Sequence, residues 1–145
     1  MKTTGVRKAA ASTATAAKAA PRKRVTKEPE ADPGSWMLAV RAAESKKAED
    51  IKVLDLKPVT TFTDTLVICT GTNSRQIQAI SDEIEKQIKE QGERPNSIEG
   101  YTNAEWILMD YGDFVVNIFS DNARKFYDLE RLWRDAPEVK VPAAV

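Results

Sequence analysis

The segment Asp64-Thr65-Leu66-Val67-Ile68-Cys69-Thr70 is a nearly continuous apolar run that stops at Gly71, and it constrains the fold more than any other stretch. A strand with one wet face alternates polar and apolar residues, whereas a run without a polar face must be covered on both sides. It therefore reads as the central strand of a sheet. Ile51-Lys52-Val53-Leu54-Asp55-Leu56 reads as a strand before it, stopped ahead of Pro58. After Gly71, Thr72-Asn73-Ser74 supplies turn and cap residues for a helix. Ile77, Ile80, Ile84 and Ile88 then form one apolar stripe, and Gly92 closes it.

The remaining elements follow from the same signals. Ser35 is expected to cap a first helix running through Trp36, Val40 and Ala43 to Lys47. A short strand is expected near Ser97-Ile98-Glu99, and a hairpin over Glu105 to Phe119. A last helix, capped by Ser120 or Asp121, is expected to turn Phe126, Leu129, Leu132 and Trp133 inward, with residues 134–145 frayed. The order α-β-β-α-β-β-β-α implies an α/β chain of the mixed α+β kind: a single mixed sheet with flanking helices, packed mainly on one side. The other face of the sheet then needs its own explanation.

Charge divides the chain further. There are 22 Lys and Arg and 22 Asp and Glu, a net charge of zero. Residues 1–27 hold eight bases and no acid, and residues 28–35 hold three acids and no base, which leaves 14 bases and 19 acids in residues 36–145, a formal −5. Residues 1–34, rich in Ala, Lys and Arg, lack the large aliphatics that a core needs and read as a disordered basic extension. Residues 35–134 read as the folded domain and 135–145 as a flexible tail. A net-negative body suits protein better than phosphate backbones, so any contact with RNA falls to the extension. The extension lacks the apolar core of a secretory signal and the amphipathic stripe of an organellar leader, which favours a bacterial cytoplasm over a mitochondrial or plastid matrix. No apolar run approaches the roughly 18 residues that span a bilayer.

What the chain lacks is equally informative. It has no histidine and a single cysteine, Cys69. Cys-based zinc cages and every Ser-His or Cys-His nucleophile arrangement are thereby excluded. Cys69 lies in the apolar run and reads as an inert buried thiol. Gly71-Thr72-Asn73-Ser74 could hold a phosphate at a helix N-terminus, but lacks the Gly-rich loop and the following Lys; turn and cap chemistry suffices. Arg75 could reach an anion or could be solvated. Asp110 and Asp113 could be a carboxylate pair, but flanking a tight turn they read better as turn and edge residues. Neither cofactor nor metal is implied.

The hairpin carries the most informative pattern. With Tyr111-Gly112 as the central residues of a two-residue turn, Asp110 pairs with Asp113, Leu108 with Val115 and Trp106 with Asn117. Side chains alternate, so Ile107, Met109, Phe114, Val116 and Ile118 form an apolar face for the core. The opposite face carries Trp106, Leu108, Asp110, Asp113, Val115 and Asn117. Apolar anchors within a polar rim are what a protein-binding surface needs. The alternative is that a helix covers Trp106, which is then simply core.

Several segments together resemble the ribosome-silencing factor family, also known as the Iojap-like proteins. They are Lys47-Ala48-Glu49-Asp50-Ile51 into Val53-Leu54-Asp55, Thr63-Asp64, Thr70-Gly71-Thr72-Asn73-Ser74-Arg75-Gln76, Glu99-Gly100, Glu105-Trp106-Ile107-Leu108-Met109-Asp110-Tyr111-Gly112-Asp113, and Phe126-Tyr127-Asp128-Leu129-Glu130-Arg131-Leu132-Trp133. The resemblance spans residues 36–134 in order. It implies a nucleotidyltransferase-like fold without catalytic metal-binding acids, and a protein that is not an enzyme. It also implies binding to the large ribosomal subunit through ribosomal protein L-fourteen, blocking an intersubunit bridge and repressing translation. The contact would fall on Trp106, Leu108, Asp110 and Tyr111. Asn117 stands where many members carry histidine, so the contact there is expected to differ in detail. The resemblance leaves open a homodimer off the ribosome, and a relic nucleotide-using activity that would need Asp55, Asp64 and Asp110 to converge on a metal.

Overall fold

Five strands and four helices follow the expected order in a computed structural model that describes residues 34–142; the basic extension expected at residues 1–34 lies, but for Gly34, outside the described residues. The strands are β1 (Glu49–Asp55), β2 (Thr65–Gly71), β3 (Ser97–Glu99), β4 (Trp106–Asp110) and β5 (Phe114–Ser120). The helices are α1 (Ser35–Ser45), α2 (Ser74–Lys89), α3 (Asp121–Tyr127) and α4 (Leu129–Leu132). The sheet order is β1-β2-β5-β4-β3, with β2 and β5 parallel and every other pair antiparallel. The apolar run becomes β2, buried at all seven residues and flanked by β1 and β5. It is an interior strand covered on both faces, as its composition demands, though it lies second from the edge and β5 takes the centre.

Two apolar layers form because side chains alternate along each strand. On one face Val53, Val67, Cys69, Ile107, Met109, Val116 and Ile118 pack with the Ile77–Ile80–Ile84–Ile88 stripe of α2 and with Ala39, Val40 and Ala43 of α1. On the other, Leu54, Leu66, Ile68, Val115 and Phe119 pack with Ala123 of α3 and Ala136, and are flanked by half-buried Trp106, Leu108, Leu129 and Trp133. Helices thus lie on both sides of the sheet, rather than mainly on one. The second layer is the thinner of the two.

Four local expectations are corrected. Ser35 is the first residue of α1, not its cap: Gly34 holds that position at φ 82° with no side-chain cap bond, and Ser35 Oγ donates to Glu93 Oε1 at 2.7 Å. The last helix is broken at Asp128, which adopts the left-handed conformation at φ 51°. The 3.6-residue period cannot continue through that break, so Phe126 and Leu132 point outward, 80% and 67% exposed. Residues after 134 are not all frayed: Pro137 O accepts from Asp55 N at 2.8 Å, Val139 N donates to Val53 O at 2.7 Å, and Val139 and Val141 pack on the first layer. This segment caps the outer edge of β1, which would otherwise present open backbone groups.

The fourth correction concerns the hairpin. Asp110 pairs with Val115, Leu108 with Asn117, Ile107 with Ile118 and Trp106 with Phe119. Tyr111 N donates to Phe114 O at 3.0 Å, so Gly112-Asp113 are the central turn residues, not Tyr111-Gly112. Gly112 supplies the positive φ of 87° that the first central position of this hairpin turn requires. The pairing moves by two residues, an even slip, and the two faces keep the memberships that alternation gave them.

Candidate docking face

Trp106 opens β4 on the thinner face of the sheet. Its neighbours there follow from register: Phe119 lies across from it on β5, and Leu108 lies two residues further along its own strand. Its ring centroid lies 5.1 Å from Phe119, which has no exposed surface, and 4.6 Å from Tyr127 of α3. Tyr127 in turn meets Phe126 edge-on at 5.0 Å. The four rings form a series from a buried floor at Phe119 to solvent at Phe126. Trp106 is half-buried within it, between the pure core and pure surface readings.

Asn117 fixes the indole from below. The Trp106 Nε1–H donates to Asn117 Oδ1 at 2.9 Å, while Asn117 Nδ2 is buried and meets no acceptor. Leu108 lies opposite Asn117 in the pairing and Ile68 lies beside it on β2. Val115 is buried against the second layer, and Leu108 stays half-buried at its margin. At the hairpin end, Asp110 Oδ1 accepts from Gly112 N at 2.8 Å. Asp113 is exposed, and its carbonyl takes the Asp64 and Thr65 amides. Both acids serve the turn and the rim. Tyr111 belongs to the opposite face: it stacks on Phe114 at 4.8 Å within the first layer. Burial, with Glu85 and Glu93 nearby, pushes its hydroxyl up to about 12.

Tyr127, Arg124 and Glu130 complete this face, and periodicity gave no sign of any of them. Arg124 of α3 lies on the sheet with only 7% of its surface exposed. Its Nη1 donates to Asp50 O at 2.7 Å and Thr70 Oγ1 at 2.8 Å, and Nε and Nη2 each donate to a carboxylate oxygen of Glu130 at 3.1 Å. That two-pronged pair ties α4 to α3 across the break at Asp128. It holds the corner whose Tyr127 buttresses Trp106. The residue doublet Arg124 and Glu130, six apart, reads in sequence as ordinary surface charge.

Alternative chemistry finds less support in the geometry. Among the described residues no three His, Cys, Asp or Glu side chains gather where they could hold a metal ion, so Asp55, Asp64 and Asp110 do not converge. Asp55 instead accepts from Lys57 N and pairs with its ammonium at 3.2 Å. At the start of α2, Asn73 Oδ1 accepts from Gln76 N at 2.9 Å and Gln76 Oε1 accepts from Thr72 N. Gln76 Nε2 reaches the Lys46 and Lys47 carbonyls at 3.0 Å. This loop's polar groups fasten α2 to the end of α1, and Arg75 is exposed beside them. Cys69 is fully buried, which raises its thiol to about 12 against a smaller opposing pull from Arg124.

Residues 27–145 match the family model described as "Ribosomal silencing factor during starvation". The chain belongs to the ribosomal silencing factor family. It is 42% identical over 108 residues to ribosomal silencing factor RsfS of Halalkalibacterium halodurans, covering 74% of this chain and 92% of that one. It is 42% identical over 100 residues to the Bacillus subtilis RsfS, covering 69% and 85%. The chloroplastic Iojap protein of Zea mays is 34% identical across 70% of this chain and 44% of its own. A crystal structure from Bacillus halodurans superposes with a TM-score of 0.67 at 39% identity, covering 75% of this chain and 99% of that one. One from Chromobacterium violaceum gives 0.69 at 30% identity, covering 77% and 92%. Within the RsfS family this chain is a mixed α+β protein with one five-stranded sheet.

Proposed function

We propose that this RsfS-family chain docks on ribosomal protein L-fourteen of the large subunit and so keeps the small subunit from joining, repressing translation without catalysing a reaction. The observation that carries this reading is the half-buried Trp106, held by Phe119, Tyr127 and Asn117 yet open on its outer side. A large aromatic fixed in one orientation loses little entropy on binding, which is what makes such residues interface anchors. Leu108 extends the apolar centre; Asp110 and Asp113 supply a polar, acidic rim; Val115 and Asn117 form the floor. Tyr111 faces the other layer, so its part is to shape the hairpin end from behind.

The same reading assigns the other partners. The basic residues of 1–27 touch ribosomal RNA, adding salt-dependent affinity without sequence preference. Off the ribosome the open face is available to a second copy of the chain, as a homodimer. The bacterial relatives support a bacterial cytoplasm as the place of action. The experiment is a subunit-joining assay on a density gradient: the protein should cosediment with isolated large subunits and lower the yield of joined ribosomes. Normal joining at saturating protein would refute the proposal.

A further inference from the structure

Of the buried side-chain polar atoms in the described residues, two lack a hydrogen-bond partner, Tyr111 Oη and Asn117 Nδ2. Only the second lies on the docking face. Asn117 is 1% exposed, and its orientation is not arbitrary. Its Oδ1 accepts the Trp106 Nε1–H at 2.9 Å; turning the amide over would set an NH2 group against an N–H, donor against donor. The amide nitrogen must therefore face away from the indole; in register, Leu108 stands opposite Asn117 on β4 and Ile68 beside it on β2. Neither side chain can accept a hydrogen bond. A buried amide donor left unmet is costly.

We propose that Asn117 is the specificity-determining residue of the docking face, its Nδ2–H held for an acceptor oxygen of the docked protein, a main-chain carbonyl or a side-chain amide or carboxylate. This rests on the docking reading above and adds what the partner must bring. Leu108, opposite Asn117 on β4, and Trp106, bonded to it, are the half-buried neighbours between Asn117 and solvent that a partner would meet. Trp106 is tied down by three contacts, to Asn117, Phe119 and Tyr127. Leu108 has no polar tie, so a partner that displaces it presents its acceptor to Nδ2 in a water-poor site. There a missing acceptor discriminates strongly, because the donor is left buried and unpaired.

The test measures affinity for isolated large ribosomal subunits by full-length chains differing only at this residue, alongside thermal melting. Asn117→Asp, read at a pH high enough to ionise its buried carboxyl, keeps an acceptor for the Trp106 indole but removes the donor; Asn117→Leu removes both; Asn117→His offers one acceptor and one donor. Affinity should fall at least tenfold for Asn117→Asp and Asn117→Leu and stay within about threefold for Asn117→His. Should Asn117→Leu fail to fold, the Asp and His variants decide between them. Wild-type affinity in folded Asn117→Asp, or loss in the folded His variant equal to that in Asp, would overturn the proposal while leaving docking intact. Failure of the wild type itself to bind large subunits would remove the docking reading and this inference together.

Discussion

Trp106 is a structural member of the second layer and, in the proposed function, the anchor for a partner, and the two roles separate by measurement. Trp106→Ala removes the ring contacts with Phe119 and Tyr127 and the bond to Asn117. It should lower unfolding free energy in urea by about 2 kcal/mol, less than for a fully buried tryptophan because the outer side already meets water. The protein should stay folded, given a typical stability of roughly 5–15 kcal/mol. Binding to large subunits should weaken by about 2 kcal/mol or more. Cys69 offers a second residue-scale check. Its folded thiol titrates near 12 rather than 9.0, so at neutral pH a thiol reagent should react only after denaturation. Between about pH 9 and 12 the unfolded chain sheds a proton that the folded chain keeps, so stability should fall as pH rises through that window. Rapid labelling of the native protein at pH 7 would contradict the buried placement of β2.

At the scale of elements, the sequence was most legible where one period governs a whole segment. The Ile77–Ile80–Ile84–Ile88 stripe and the unbroken run of β2 each produced the expected element and the expected burial. It was least legible where one backbone angle decides. The positive φ of Gly112 moves the turn by one residue and the pairing by two; that of Asp128 splits the last helix and turns Phe126 and Leu132 outward. The edge segment at Pro137–Val139 was hidden because its partner, β1, is distant in sequence and two prolines bracket it. The membership of the candidate face was legible from alternation, but Arg124, Glu130 and Tyr127, which hold its flank, were not. Gly100→Ala tests the β3–β4 connection: at φ 82°, an added Cβ would run into the Trp106 carbonyl. It should destabilise the fold by about 3 kcal/mol or more in a urea titration, well beyond the roughly 1 kcal/mol of an unhindered Gly to Ala change at positive φ. Ending the chain at Ala136 should lower the melting temperature and promote self-association through the uncovered β1 edge, read by light scattering.

For the molecule as a whole, the separation of charge underlies the two binding roles proposed for one chain. In the proposed function the body, formally −5 over residues 36–145, docks through the Trp106 face, and the eight bases of residues 1–27 make the counterion-releasing contacts. Removing residues 1–33 should therefore flatten the dependence of large-subunit affinity on salt while leaving the joining block largely intact at saturation, as titrations at two salt concentrations would show. The central claim, that Trp106 and Leu108 on the thinner face of the sheet make the contact, is tested most directly by one gradient. Isolated small and large subunits are combined with saturating wild-type chain or with a folded Trp106→Ala chain. Joining should be strongly suppressed by the wild type and restored toward the protein-free level by the variant; equal suppression by both would contradict the account.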